Sequence, residues 1–170
     1  MKTINVLLAN ADRRTNNFIQ SLVLDVCYNQ AAVNCVQTGR VDELLSKACR
    51  GDYQLIVVDP DHLVPEPTRK AAKIKIEEVV RVIREIKRQH TVPVIAVAAG
   101  AEHESELLAL GVESVLGLPF NAEALRLEVR RLLRMRERVE ATEPARASSV
   151  GLLFRAFNFK AVLQTWSDNH

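Results

Sequence analysis

The chain is poor in the residues that usually announce a catalytic or metal-binding protein. Its three cysteines, Cys27, Cys35 and Cys49, are scattered and form no CxxC pair. That pattern argues against a disulfide framework or a cysteine zinc site and fits thiols used as small core residues in a reducing cytoplasm. The four histidines, His62, His90, His103 and His170, show no metal-ligand spacing. The six glycines are dispersed, which excludes a glycine-rich phosphate loop. No GxSxG elbow or Cys/His pairing points to a nucleophile. No apolar run approaches the length of a membrane span. The first residues, Met1-Lys2-Thr3-Ile4, lead straight into a strand-like segment rather than a signal peptide. A net charge of +2 is too small to imply nucleic acid by itself.

What remains is an ordinary globular composition, 48% hydrophobic and 26% charged, in 170 residues, enough for one domain and something left over. Strand-like and helix-like segments alternate. Ile4 to Ala9 reads as a buried strand, followed by a helix capped by Asp12 and carrying Phe18, Ile19, Leu22, Val23 and Val26 at helical spacing. Ala32 to Val36 is a second strand. Val41, Leu44, Leu45 and Ala48 mark a second helix, ended by Gly51. Leu55 to Val58 is apolar throughout, as expected for a parallel strand covered on both faces. A long third helix carries Ile76, Val79, Val80, Ile83 and Ile86, with lysines and arginines opposite. Val92 to Ala98 is a fourth strand, opened by Pro93. A short helix carries Leu107 and Leu108, and Val112 to Leu118 is a fifth strand. Asn121 caps a last helix running to about Arg138. The (βα)5 pattern predicts a doubly wound, five-stranded parallel sheet with helices on both faces.

Three signals in this order and spacing carry a family resemblance: Tyr53-Gln54-Leu55-Ile56-Val57-Val58-Asp59, then Val92-Pro93-Val94-Ile95, then Gly111-Val112 leading to Pro119-Phe120. Over residues 3 to 138 the chain resembles the receiver domain of two-component response regulators, a flavodoxin-like, CheY-like fold. The resemblance implies that Asp59 stands where receivers accept a phosphoryl group. It also implies an acidic pair after the first strand that helps hold magnesium, and here those positions are Asn10 and Ala11. Magnesium needs charged oxygen ligands, and Ala11 offers none. Asp12 lies one residue further on and is better placed as the helix cap. The hydroxyl residue that ends the fourth strand of a receiver is replaced by Ala98. The lysine before the proline is replaced by Leu118, and the switch aromatic by Val115. Phosphoryl transfer depends on positioning and on neutralising developing charge. This pocket reads as degenerate, with no metal, no cofactor and no enzymatic activity of its own. A rearranged pocket, in which Asp12, Asp59 and Asp61 hold a cation, is the alternative. The loop Pro60-Asp61-His62-Leu63-Val64-Pro65-Glu66-Pro67 also lacks the usual glycine-containing turn. It is either a harmless insertion or a remodelled partner face.

Two further features bear on partners. Arg126, Arg130, Arg131, Arg134, Arg136 and Arg138 make the last receiver helix basic, which could serve nucleic acid. Glu128 and Glu137 dilute the run and no aromatics are interleaved, so a solvated helix face is the better reading. Residues 140–149 lose periodicity and read as a linker after a receiver-like domain of 1–139. In 150–170, Leu152, Ala156, Phe159, Leu163 and Trp166 recur at helical spacing, with Phe154 and Phe157 alongside, although aromatics are 5% of the chain. That amphipathic helix must bury its stripe against its own receiver, a second copy or another protein, and it carries too little positive charge to favour a membrane surface. The sequence thus predicts a cytoplasmic pseudo-receiver acting through contacts with a signalling protein or in a homodimer. Its rivals are a phosphoacceptor regulator using Asp59 and a nucleic-acid-binding regulator using the basic helix.

Overall fold

The computed structural model describes residues 2–63, 76–97, 101–117, 119 and 121–134. Strands β1 (Thr3–Ala9), β2 (Ala32–Thr38), β3 (Leu55–Val58), β4 (Val94–Val97) and β5 (Ser114–Leu116) alternate with helices α1 (Arg13–Cys27), α2 (Val41–Arg50), α3 (Ile76–Gln89), α4 (Ala101–Ala109) and α5 (Ala122–Leu132). All strand pairings are parallel, in the order β2-β1-β3-β4-β5. This is the flavodoxin-like doubly wound order, whose switch point lies between β1 and β3.

The period-2 alternation of side chains divides the core between the two faces of the sheet. Leu7, Ala9, Ile56, Val58, Val94 and Ala96 pack with Leu44 of α2, Val79, Val80, Ile83 and Ile86 of α3, and Leu107 of α4. Ile4, Val6, Leu8, Leu55, Val57, Ile95 and Val97 pack on the other face with Ile19, Leu22, Val23 and Val26 of α1 and Leu125 and Val129 of α5. Strands β3 and β4 are buried at every position, which is why their sequences are apolar without alternation.

Several expected boundaries shift for identifiable reasons. Phe18 is 45% exposed and does not belong to the buried stripe of α1. Asn16 takes the inner position in that turn, and the buried face runs Asn16, Ile19, Leu22, Val23 and Val26. Strand β4 opens at Val94, after Pro93, which has no N–H to give the ladder. Helix α5 ends at Leu132, not near Arg138. Leu133 turns inward to the core and Arg134 adopts a left-handed φ of 54°, which stops the helix. Gly51 does end α2, but its φ is −112°, not left-handed. The absence of a side chain there serves Tyr53, since a Cβ on Gly51 would lie 2.3 Å from Tyr53 Cε2.

Candidate functional site

Asn10 and Asp59 follow β1 and β3 directly, at the carboxyl ends of the two strands that flank the switch point. The register pairs Ala9 with Val58, and the Asp59 N–H donates to Ala9 O at 2.8 Å, which brings the next residues side by side. Both side chains are buried, Asp59 at 2% exposure.

The Asp59 carboxylate is held by donors from the protein itself. Asn10 Nδ2 donates to Oδ2 at 2.8 Å. The backbone N–H groups of Asp61 and His62 donate to Oδ1 at 3.2 and 3.1 Å. His62 Nδ1 straddles the two oxygens at 2.9 and 3.0 Å. An ionised carboxylate offers about four lone-pair sites; three N–H donors take up three of them, and His62 Nδ1, in the tautomer that carries its proton there, is shared between the two oxygens. Burial pushes the Asp59 carboxyl above its ordinary 3.8, and the hydrogen bond and charge of His62 pull it back only in part. The His62 side chain remains 53% exposed, so it covers the carboxylate as a cap between Asp59 and solvent.

The same donors tie two loops together. Ala11 N–H donates to His62 O at 2.9 Å. Asn10 Oδ1 accepts from Asp12 N, and Asn10 O accepts from Nδ2 of the buried Asn16 at 2.8 Å. Asn10 therefore bonds forward to Asp59 and back into the start of α1. Gly39 approaches on the other side: a Cβ there would lie 3.1 Å from Ala11 Cα, a tight contact that a side chain could make only if the loop after β1 gave by a few tenths of an ångström.

Asp12 is the helix cap. Its oxygens accept from Arg14 N and Thr15 N at 3.1 Å each and from Thr15 Oγ1 at 2.7 Å. The hydroxyl of Thr15, then the N–H groups of Arg14 and Thr15, lower its carboxyl pKa. Its acceptor capacity is turned into α1, and among the described residues no group of three or more His, Cys, Asp or Glu side chains could hold a metal ion. The cation cluster of Asp12, Asp59 and Asp61 is not assembled; Asp61 reaches Asp59 through its backbone N–H.

Val115 lies half-buried on β5. Ala98 and Leu118, as well as Leu152, Phe159, Leu163 and Trp166, lie outside the described residues. Of the four arginines of the basic run that are described, two form ion pairs. Arg126 bridges Asp25 at 3.1 Å and Glu123 at 3.5 Å, and Arg131 bonds Glu128 at 2.6 Å. Sequence reasoning missed His62, dismissed for lack of metal spacing, and Asn16. The available signal for His62 was its position three residues after Asp59, the reach of a side chain returning over a turn.

Neither the protein-family profiles nor the curated proteins include a match to this chain. Solved structures do match. The receiver domain of the Francisella response regulator 1452 aligns at 22% identity and a TM-score of 0.58, covering 77% of this chain and 97% of that one. The receiver domain of NtrX from Brucella abortus aligns at 17% identity and 0.59, covering 76% and 98%. A protein of Burkholderia thailandensis assigned to pilus assembly aligns at 20% identity and 0.56, covering 78% and 99%. The fold of this chain is that of the response-regulator receiver domain.

Proposed function

We propose that this chain is an atypical receiver, a pseudo-receiver, that acts in signal transduction through protein contacts without phosphorylation of Asp59. The observation that carries this reading is the closed carboxylate. The Asn10 amide, two backbone N–H groups and the His62 ring occupy the acceptor positions that magnesium and an incoming phosphoryl donor would need. Ala98 and Leu118 stand where a receiver has its hydroxyl and lysine, so the sequence supplies no replacement for the charge that phosphoryl transfer develops. In this reading Asp59 is a structural hub and the module is not an enzyme.

The fold alone does not choose a pathway. It occurs in two-component regulators and in the protein assigned to pilus assembly. We assign the partner to a signalling protein or a second copy of this chain, with Leu152, Phe159, Leu163 and Trp166 as the contact stripe. Cytoplasmic residence is supported by the odd, scattered set of Cys27, Cys35 and Cys49, which forms no CxxC pair. No described helix is long and apolar enough to cross a membrane. Incubation with magnesium and acetyl phosphate, followed by intact-mass measurement, tests the reading. No adduct is expected. A stoichiometric adduct that disappears in Asp59→Ala would favour the phosphoacceptor alternative.

A further inference from the structure

The end of the sheet opposite Asp59 carries a second feature, independent of the reading above. A cleft of about 380 Å³ opens at the amino ends of β1, β3 and β4, among Lys2, Tyr53, Gln54, Thr91, Leu133 and Arg134. Its charged lining residues are both cations, Lys2 and Arg134. The rest of its lining mixes the polar Gln54 and Thr91 with Tyr53, Ile4, Val92, Pro93 and the end of α5. Smaller clefts of about 190 and 280 Å³ adjoin it, and Tyr53 lines all three.

Two details show that this wall is built. Gly51 has an unstrained backbone, yet a Cβ there would collide with the Tyr53 ring, so the glycine seats the ring. Arg134 holds a left-handed φ of 54° at the position after the α5 cap, where glycine is the favoured residue. A long cation stands there against local backbone preference, and such positions cluster at ligand clamps.

We infer that this cleft binds a small organic anion with a flat apolar body, the body lying along Tyr53 and the charge between Lys2 and Arg134. A tyrosine, the neighbouring Ile4, Val92 and Pro93, and two cations without a carboxylate among the lining residues select that combination over a neutral molecule or a bare ion.

The test uses the full chain, with amide NMR shifts as the readout and naphthalene-2-sulfonate as the probe. Saturable shifts are expected at Lys2, Gln54, Thr91, Leu133 and Arg134. Sulfate and 2-naphthol should each bind more weakly. Lys2→Gln and Arg134→Gly should each weaken the probe about two- to five-fold, the worth of one exposed ion pair. Arg134→Gly should at the same time raise the melting temperature by about 2–4 °C, because it relieves the left-handed residue. That gain separates lost binding from lost folding. The inference is overturned by the absence of saturable shifts at these residues or by affinity unchanged in both variants. Sulfate or 2-naphthol binding as tightly as the probe overturns it equally.

Discussion

Asn10 supplies a fixed N–H dipole at Asp59, which in the proposed reading takes the place of a bound cation. The exchange has measurable consequences, because the donor and the charge can be altered separately. Asn10→Asp removes a buried donor and sets a second carboxylate against Asp59. It should cost about 2–3 kcal/mol at neutral pH in denaturant unfolding, with part of the loss recovered in magnesium. Stability equal to the parent protein would mean that the 2.8 Å bond contributes nothing. Asp59 also sets a pH dependence of defined sign. Its folded pKa is raised by burial, so the folded state holds the proton more tightly than the unfolded chain. The resulting stabilisation is full below the ordinary 3.8 and is lost as pH rises through the folded value. Relative to Asp59→Asn, the parent protein should therefore gain in melting temperature as the pH falls from neutral toward 4. A gap that moves the other way would show that His62 dominates and the folded pKa is lowered. The sequence displayed Asp59 at the end of β3 plainly. It did not display the donors that hold the carboxylate, because His62 and the backbone of Asp61 reach it only through the conformation of a turn.

Helices were legible where one face is buried and the period is clean, and the central strands by their unbroken apolar runs. Strand β3 and the buried Val79, Val80, Ile83 and Ile86 of α3 lie where their apolar pattern puts them. Ile83→Ala should accordingly cost about 2–5 kcal/mol, with little change expected at Asp59. Errors arose where a polar residue displaced an apolar one from the inner face. Asn16 is buried because it bonds Asn10 O, and Phe18 is turned outward. Helix ends were hard to read for the same reason. The stop of α5 depends on Leu133 packing into the core, a tertiary contact, while Arg134 is a poor residue for the left-handed turn it makes. Gly51→Ala tests the seating of Tyr53: it should destabilise by about 1–3 kcal/mol, and Tyr53→Ala in the same chain should remove most of that cost. A cost that persists without the ring would place the need for glycine in the backbone instead.

At the scale of the whole molecule, the receiver fold is two apolar layers on one sheet, with its polar business confined to strand ends. The (βα)5 reading followed from composition and order because both faces of a parallel sheet must be covered. The role of residues 150–170 rests on sequence pattern alone. If their stripe is buried as proposed, removal of residues 147–170 should change melting temperature, mass by light scattering or solubility, and a truncated protein equal in all three would make the tail an independent appendage. The central claim, that protein donors close the Asp59 carboxylate, is tested most directly by magnesium titration followed by calorimetry, with Asp59→Asn as control. The account predicts no Asp59-dependent binding at about millimolar magnesium or tighter. Millimolar or stronger affinity that is abolished by Asp59→Asn would contradict it and restore Asp59 as a metal ligand.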